Sequence, residues 1–404
     1  EGTETNRFSF NRAANMLYLE SPAGSFLSPM SAGSGFSYCE RNGQREPVCN
    51  WNDTTQAAAY TLTLEEFYRS FPEFAANPLY LIGESYAGQY IPNIAHYIIT
   101  NSAVDPSLKA RLQGIAVGNG CWGGDADNFM CNGPNENRDL VALYYGKGLI
   151  SNKLHKSILA ACKFPDIPVD SGTMPHVPSA ECETQLSLMD KAVGPHDVYD
   201  VYDNCPDVQQ FYEISGHSAR TLGQFLHRNG HRIKEAHQEL RETGGGYDWT
   251  CGQFYALPKY FNRTDVKKVL HLPEQSLSSA FNYNTTGPAS LTLYPSLIQS
   301  GLRVLIYNGD ADTCVPYIGN EEWTTSMVEK GVVEEEIPWH PWFADEKDSS
   351  PAGYATNYRP LTSNPEGGGM FAFVTIRLAG HEVPHFTPRA AFALFKRYLA
   401  GEAF

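Results

Sequence analysis

Ser85 lies in Gly83-Glu-Ser85-Tyr-Ala-Gly88, directly after the apolar run Leu79-Tyr-Leu-Ile82 and directly before a helical pattern. A serine hydroxyl is a weak nucleophile until a neighbouring base takes its proton. A strand–turn–helix setting is one that exposes such a hydroxyl, and the small Gly83 and Ala87 permit the tight turn it needs. The backbone N–H of Tyr86, next in the chain, is placed to face a developing oxyanion. An acid and a base follow in the order a nucleophile would use them. Asp310 and Asp312 end one apolar run, and His381 follows another in Ala379-Gly-His-Glu-Val-Pro-His385. Both aspartates are candidates for the acid. The string His381-Glu-Val-Pro-His385 also matches H-E-x-x-H, which binds zinc only when a helix sets both histidines on one face. Pro384 falls inside that stretch, where it would break such a helix, so no metal site is expected.

These residues need elements to hold them. Met16–Leu19 and Pro78–Gly83 read as short buried strands, and 54–74 as a helix with Leu62, Phe67, Phe71 and Phe74 available to one face. A helix over 90–100 and a strand over 113–118 follow. Strands over 302–308 and 370–377 then end at Asp310/Asp312 and at Gly380-His381, and a helix over 388–399 starts at Pro388, a residue suited to a first turn. Alternating strands and helices predict a mostly parallel sheet in an α/β fold. The order Ser, Asp, His at successive strand ends is that of the α/β-hydrolases. Between them, 119–250 breaks the alternation, with helices over 140–145, 153–162 and 218–243 and a Pro- and Cys-rich stretch. The chain thus divides into an α/β core, 1–118 and 251–404, and a helical cap insertion, 119–250.

The chain has 404 residues, 42% of them hydrophobic, and a formal charge of −15. That charge argues against nucleic acid and anionic membranes as partners, both of which need basic patches. No run of about 18 apolar residues is present, so no membrane helix is expected. Nine cysteines and three Asn-x-Ser/Thr sequons, at Asn52, Asn262 and Asn284, together favour the secretory pathway. Cys39 with Cys49 and Cys121 with Cys131 are close enough for local disulfides. Pairing among Cys162, Cys182, Cys205 and Cys314 is not legible. A free Cys314, two residues from Asp312, would lie near the site and confer sensitivity to mercurials.

Asn15-Met-Leu-Tyr-Leu-Glu-Ser-Pro-Ala-Gly24, Gly35-Phe-Ser-Tyr38, Gly83-Glu-Ser-Tyr-Ala-Gly88, Asn308-Gly-Asp-Ala-Asp312 and Gly380-His-Glu-Val-Pro384 resemble the serine carboxypeptidase family. The resemblance runs end to end and in order. It implies an α/β-hydrolase fold with Ser85 as nucleophile, Asp312 as acid and His381 as base, and no cofactor. It casts Glu20 and Glu84 as the pair that holds the C-terminal carboxylate of a peptide or protein substrate. Two glutamates crowded in a cleft have raised pKa values through mutual repulsion and burial, so a protonated carboxyl can hydrogen-bond that carboxylate. Activity highest in mildly acidic solution follows, in an extracellular, vacuolar or lysosomal enzyme. Some members pair through the cap, which makes a homodimer a candidate assembly.

Two departures qualify this. The family carries a Trp-Leu-Asn-Gly-Gly-Pro-Gly-Cys stretch upstream of Glu20, and the chain starts after it. That stretch would supply a second oxyanion N–H, the sheet's first strands, and the cysteine that would pair with Cys251. Residues 25–34 stand where the family has one residue, either as retained intron sequence or as a loop beside the cleft. Two alternatives therefore stand beside the peptidase reading: an acyltransferase relative, and a non-catalytic binding protein. Glu84 argues against the first, since that branch often has Asp before the serine.

Overall fold

A computed structural model describes residues 5–23, 37–124, 129–171, 177–194, 196–202, 260–261, 263–271, 280–286, 289–361 and 369–404. The elements that matter are, in chain order, β1 (Val48–Asn52), α1 (Asp53–Ser70), β2 (Leu79–Glu84), α2 (Ala87–Thr100), β3 (Leu112–Gly118), α3 (Glu136–Gly146), α4 (Asn152–Cys162) and α5 (Ala180–Val193). They continue as β4 (Ala280–Asn284), β5 (Arg303–Gly309), α6 (Tyr317–Glu329), β6 (Val333–Trp342), β7 (Gly353–Pro360), β8 (Phe371–Ile376) and α7 (Pro388–Ala400).

The principal sheet among the described residues has six strands in the order β6-β7-β8-β5-β3-β2. β2, β3, β5 and β8 run parallel, while β6 and β7 add antiparallel strands at one edge. The parallel strands are continuous apolar runs because both of their faces are covered. Their side chains alternate between two packed cores. Phe371, Phe373, Val304 and Ile306 join Ile94, Ile98, Trp323 and Met327 of α2 and α6 on one side. Ala372, Val374, Ile376 and Leu305 join Leu394 and Tyr398 of α7 on the other. Because β2, β3, β5 and β8 run parallel, the residues just past their C-terminal ends lie along one edge of the sheet.

Local signals set the helix ends. Asn52 caps α1 through a reciprocal capping box with Thr55, and Pro388 opens α7. α3, α4 and α5, in the segment after β3, make a small core of Val141, Tyr144, Ile158 and Met189, joined by the Cys162–Cys182 disulfide. The predicted helix over 218–243 lies outside the described residues. The expected strand at Met16–Leu19 does not form; Leu17 and Tyr18 are exposed. An apolar run becomes a strand only beside a partner, and β2, the sheet's edge among the described residues, does not pair with it. β6 and β7 went unread, since Glu334–Glu336, Pro338 and Pro341 interrupt the apolar pattern. An antiparallel edge tolerates such residues, and β6 carries two register shifts against β7. No helix among the described residues is long and apolar enough to cross a membrane.

Candidate active site

Ser85 stands between β2 and α2 with φ +60°, a left-handed backbone that non-glycine residues rarely adopt. Three hydrogen bonds hold it there. Its N–H donates to Gly118 O at 2.9 Å, and its carbonyl accepts from Gly88 N at 2.9 Å and Cys121 N at 3.0 Å. The turn tolerates no bulk at two positions. A Cβ on Gly83 would lie 2.4 Å from that of Ala87, and one on Gly88 would lie 2.2 Å from Cys121 O. The Cys121–Cys131 disulfide fastens the loop against which Gly88 packs. Tyr86, the residue after Ser85, occupies the N-terminal cap position of α2.

The acid and base meet across 69 residues of sequence. His381 Nδ1 lies 2.6 Å from Asp312 Oδ2, and both side chains are buried. Asp312 Oδ2 also accepts from Asn119 Nδ2 at 2.7 Å, and its Oδ1 accepts from Cys314 N at 2.8 Å. Held by these donors, Asp312 Oδ2 accepts from the imidazole and fixes its proton on Nδ1. His381 Nε2 is buried without a hydrogen-bond partner, leaving it as the ring nitrogen able to take a proton. Burial disfavours the imidazolium, but the hydrogen bond to Asp312 and the charges of Asp312 and Glu382 outweigh it and hold His381 above its ordinary value. Ser85 and this pair are joined through β3: Gly118 receives Ser85's N–H, and Asn119, the next residue, holds Asp312.

Glu84 ends β2 beside the nucleophile. Burial pushes its carboxyl up to about 8, His381 opposes the rise, and Glu382 and Asp312 add to it. Glu20 is exposed, and its Oε2 accepts from Ser37 N at 2.7 Å. Residues 25–34, which follow it, lie outside the described residues.

His381 precedes the one-turn helix Val383–Phe386, so its string does not form one face of a helix with His385. The described residues hold no cluster of three or more potential metal ligands. Disulfides join Cys39 to Cys49 and Cys121 to Cys131; Cys205 and Cys251 lie outside the described residues. Cys314 is a free thiol. Burial, then the charges of Asp312 and Asp197, push it up to about 12. Asn52 and Asn284 are register partners on the paired strands β1 and β4, while Asn262 lies outside the described residues.

Two participants escaped the sequence reading. Asn119 carried a usable signal, since it follows a parallel strand at the sheet edge where sites form. Tyr199 carried none: its carbonyl accepts from His381 N at 2.7 Å, and its ring centroid lies 4.9 Å from that of His381.

A mostly parallel sheet, a strained serine between strand and helix, and an Asp–His pair beyond later strands define an α/β-hydrolase. The family profile of the serine carboxypeptidases matches residues 1–401, and the chain belongs to that family of serine hydrolases. Serine carboxypeptidase-like 25 of Arabidopsis thaliana is 30% identical over 99% of this chain and 75% of its own. The mouse lysosomal protective protein is 29% identical over 99% of this chain and 78% of its own. The crystal structure of a prohormone-processing carboxypeptidase from Saccharomyces cerevisiae matches with a TM-score of 0.52 at 19% identity, covering 92% of this chain and 72% of that one.

Proposed function

We propose that the protein is a serine-type carboxypeptidase that releases C-terminal amino acids from peptides through an acyl-enzyme on Ser85. The observation that carries this reading is Glu84, whose carboxyl next to the nucleophile is held to about 8 by burial. Below that value it is protonated and donates a hydrogen bond to a substrate's terminal carboxylate, which an ionised glutamate would repel. The scissile carbonyl then sits at Ser85. His381 Nε2 takes the hydroxyl proton as Oγ attacks, and passes it to the leaving amino group. Asp312 orients the ring and stabilises the imidazolium, and Tyr86 N–H faces the oxyanion. Water then enters by the same route in reverse and frees the acyl group.

Activity is highest on the acid side of Glu84's titration, with the lower limb set by protonation of His381. The family, the disulfides and the sequons support residence in the secretory pathway, extracellular, vacuolar or lysosomal, with glycans on sequon asparagines. Residues 119–250 act as a cap on the core of 1–118 and 251–404.

Full-length protein incubated with a blocked dipeptide, and separately with a sugar-ester donor and acceptor, tests the reading. Release of a free amino acid with labelling of Ser85 by a fluorophosphonate supports it. Acyl transfer without peptide cleavage would replace it with an acyltransferase, and absence of labelling would replace it with a binding protein.

A further inference from the structure

Gly309-Asp310-Ala-Asp312 contains two acids, and the catalytic geometry uses one. Asp310 is turned the other way. Its Oδ1 accepts the N–H of Leu378 at 2.9 Å, and Lys147 Nζ lies 3.2 Å from the same oxygen. Leu378 sits three residues before His381 with φ +60°, a strained conformation for a non-glycine residue that persists only where its surroundings hold it. Its side chain is 57% exposed, so core packing does not impose that backbone. Hydrogen bonds to the Asp310 loop do. Asp310 N donates to Ile376 O at 3.0 Å, Ala311 N to Ala379 O at 2.8 Å, and Leu378 N to the Asp310 carboxylate.

The third side of this junction comes from the cap region. Lys147 directly follows α3, and its ammonium lies 5.3 Å from the ring centroid of Tyr202. Val201, beside Tyr202, donates its N–H to Ala311 O at 3.0 Å. One carboxylate therefore joins the loop that carries the acid, the turn that carries the base, and the segment that covers them.

We infer that Asp310 is a positioning residue for the proposed reaction: its side-chain oxygen holds the strained Leu378 turn and so sets His381 against Asp312. The inference rests on reading Ser85, Asp312 and His381 as the catalytic set.

The test compares full-length wild type with Asp310→Ala, Asp310→Asn and the double variant Asp310→Ala/Leu378→Gly. The readouts are fluorophosphonate labelling rate, kcat and KM on a blocked dipeptide, and thermal unfolding. Loss of a hydrogen bond to a charged acceptor predicts a drop of about 10- to 100-fold in kcat and labelling for Asp310→Ala, with KM little changed. Asp310→Asn keeps an oxygen for the Leu378 N–H and stays within about threefold of wild type, since only the charge is lost. Glycine adopts φ +60° without strain, so Leu378→Gly restores most of the rate lost in Asp310→Ala. A folded Asp310→Ala at the wild-type rate overturns the inference, as does a double variant no better than the single. If Asp310→Ala does not fold, a tenfold loss in folded Asp310→Asn overturns it. An unlabelled wild type instead removes the catalytic reading itself, and this inference with it.

Discussion

The amide of Asn119 and the carboxylate of Asp312 meet at 2.7 Å, and the other end of the same amide accepts from Gly309 N at 3.0 Å. Asn119 is fully buried and held at φ +42°. One side chain thus ties the end of β3 to the loop after β5 and spends its donor on the oxygen that orients His381. Asn119→Ala leaves that oxygen one donor short while Ser85 and Glu84 are untouched. A charged hydrogen bond of this kind is worth about 1.5–3 kcal/mol, so kcat is expected to fall about 10- to 100-fold with KM little changed. Steady-state kinetics on a blocked dipeptide check this, and an unchanged kcat would show that Asp312 needs only His381 and Cys314 N.

The sequence made Ser85 and His381 readable because each sits at a local signal, an apolar run broken by glycine or by a strand–helix switch. The parallel strands were readable for the same reason, being continuous apolar runs. The Asn119–Asp312 bond was not, since 193 residues separate its partners and only the sheet order β2-β3-β5 brings them together. The elevation of Glu84 is expected from burial together with repulsion by a neighbouring acid; burial is its main source, and the acids that add to it are Glu382 and Asp312, which only the fold brings near. β6 hid behind its charges and prolines, which are compatible with a strand only where a single neighbour supplies the ladder.

The pH profile separates the two titrating groups. Glu84 is protonated below about 8 and ionises above it, so KM for a substrate with a free C-terminus is expected to climb as pH rises through that value. His381 must be neutral to accept a proton, and its pKa is raised, so kcat falls as pH drops through it. Glu84→Gln keeps a donor that never ionises. The alkaline rise in KM is then expected to flatten while the acid limb of kcat persists. Measuring kcat and KM separately across pH for wild type and variant checks this; an alkaline KM rise that survives in Glu84→Gln would assign that limb to another group.

Cys314 neighbours Asp312 yet is a poor nucleophile. With its thiol pushed up to about 12, almost none is thiolate at pH 8, whereas a free cysteine at pKa about 8.5 is partly ionised there. Reaction with a disulfide reagent is expected to run about a thousandfold slower in the folded protein than after denaturation, counting only the thiolate fraction. A thiol titration with and without denaturant measures the ratio. Rapid reaction in the folded protein would mean that the thiol is ionised or opened to solvent.

Gly88 is the position where the elbow has least room. A Cβ there would lie 2.2 Å from Cys121 O and 2.7 Å from Cys121 N. Neither can retreat easily, because Cys121 N holds the Ser85 carbonyl and Cys121 is bonded to Cys131. Gly88→Ala must therefore move α2 or the Cys121 loop, and either motion disturbs the hydrogen bonds that keep Ser85 at positive φ. Overpacking of this kind costs about 1–3 kcal/mol. The expected result is a Tm lowered by a few degrees and a fluorophosphonate labelling rate lowered about tenfold or more, since the strained serine is the part least able to absorb a shift. Gly43 supplies the control, because a Cβ there meets nothing within 4 Å. Its φ of +75° puts strain into Gly43→Ala as well, so that variant is expected to lose stability while labelling Ser85 at the wild-type rate. Equal labelling losses in the two variants would mean that the elbow responds to general destabilisation and not to the contact between Gly88 and Cys121.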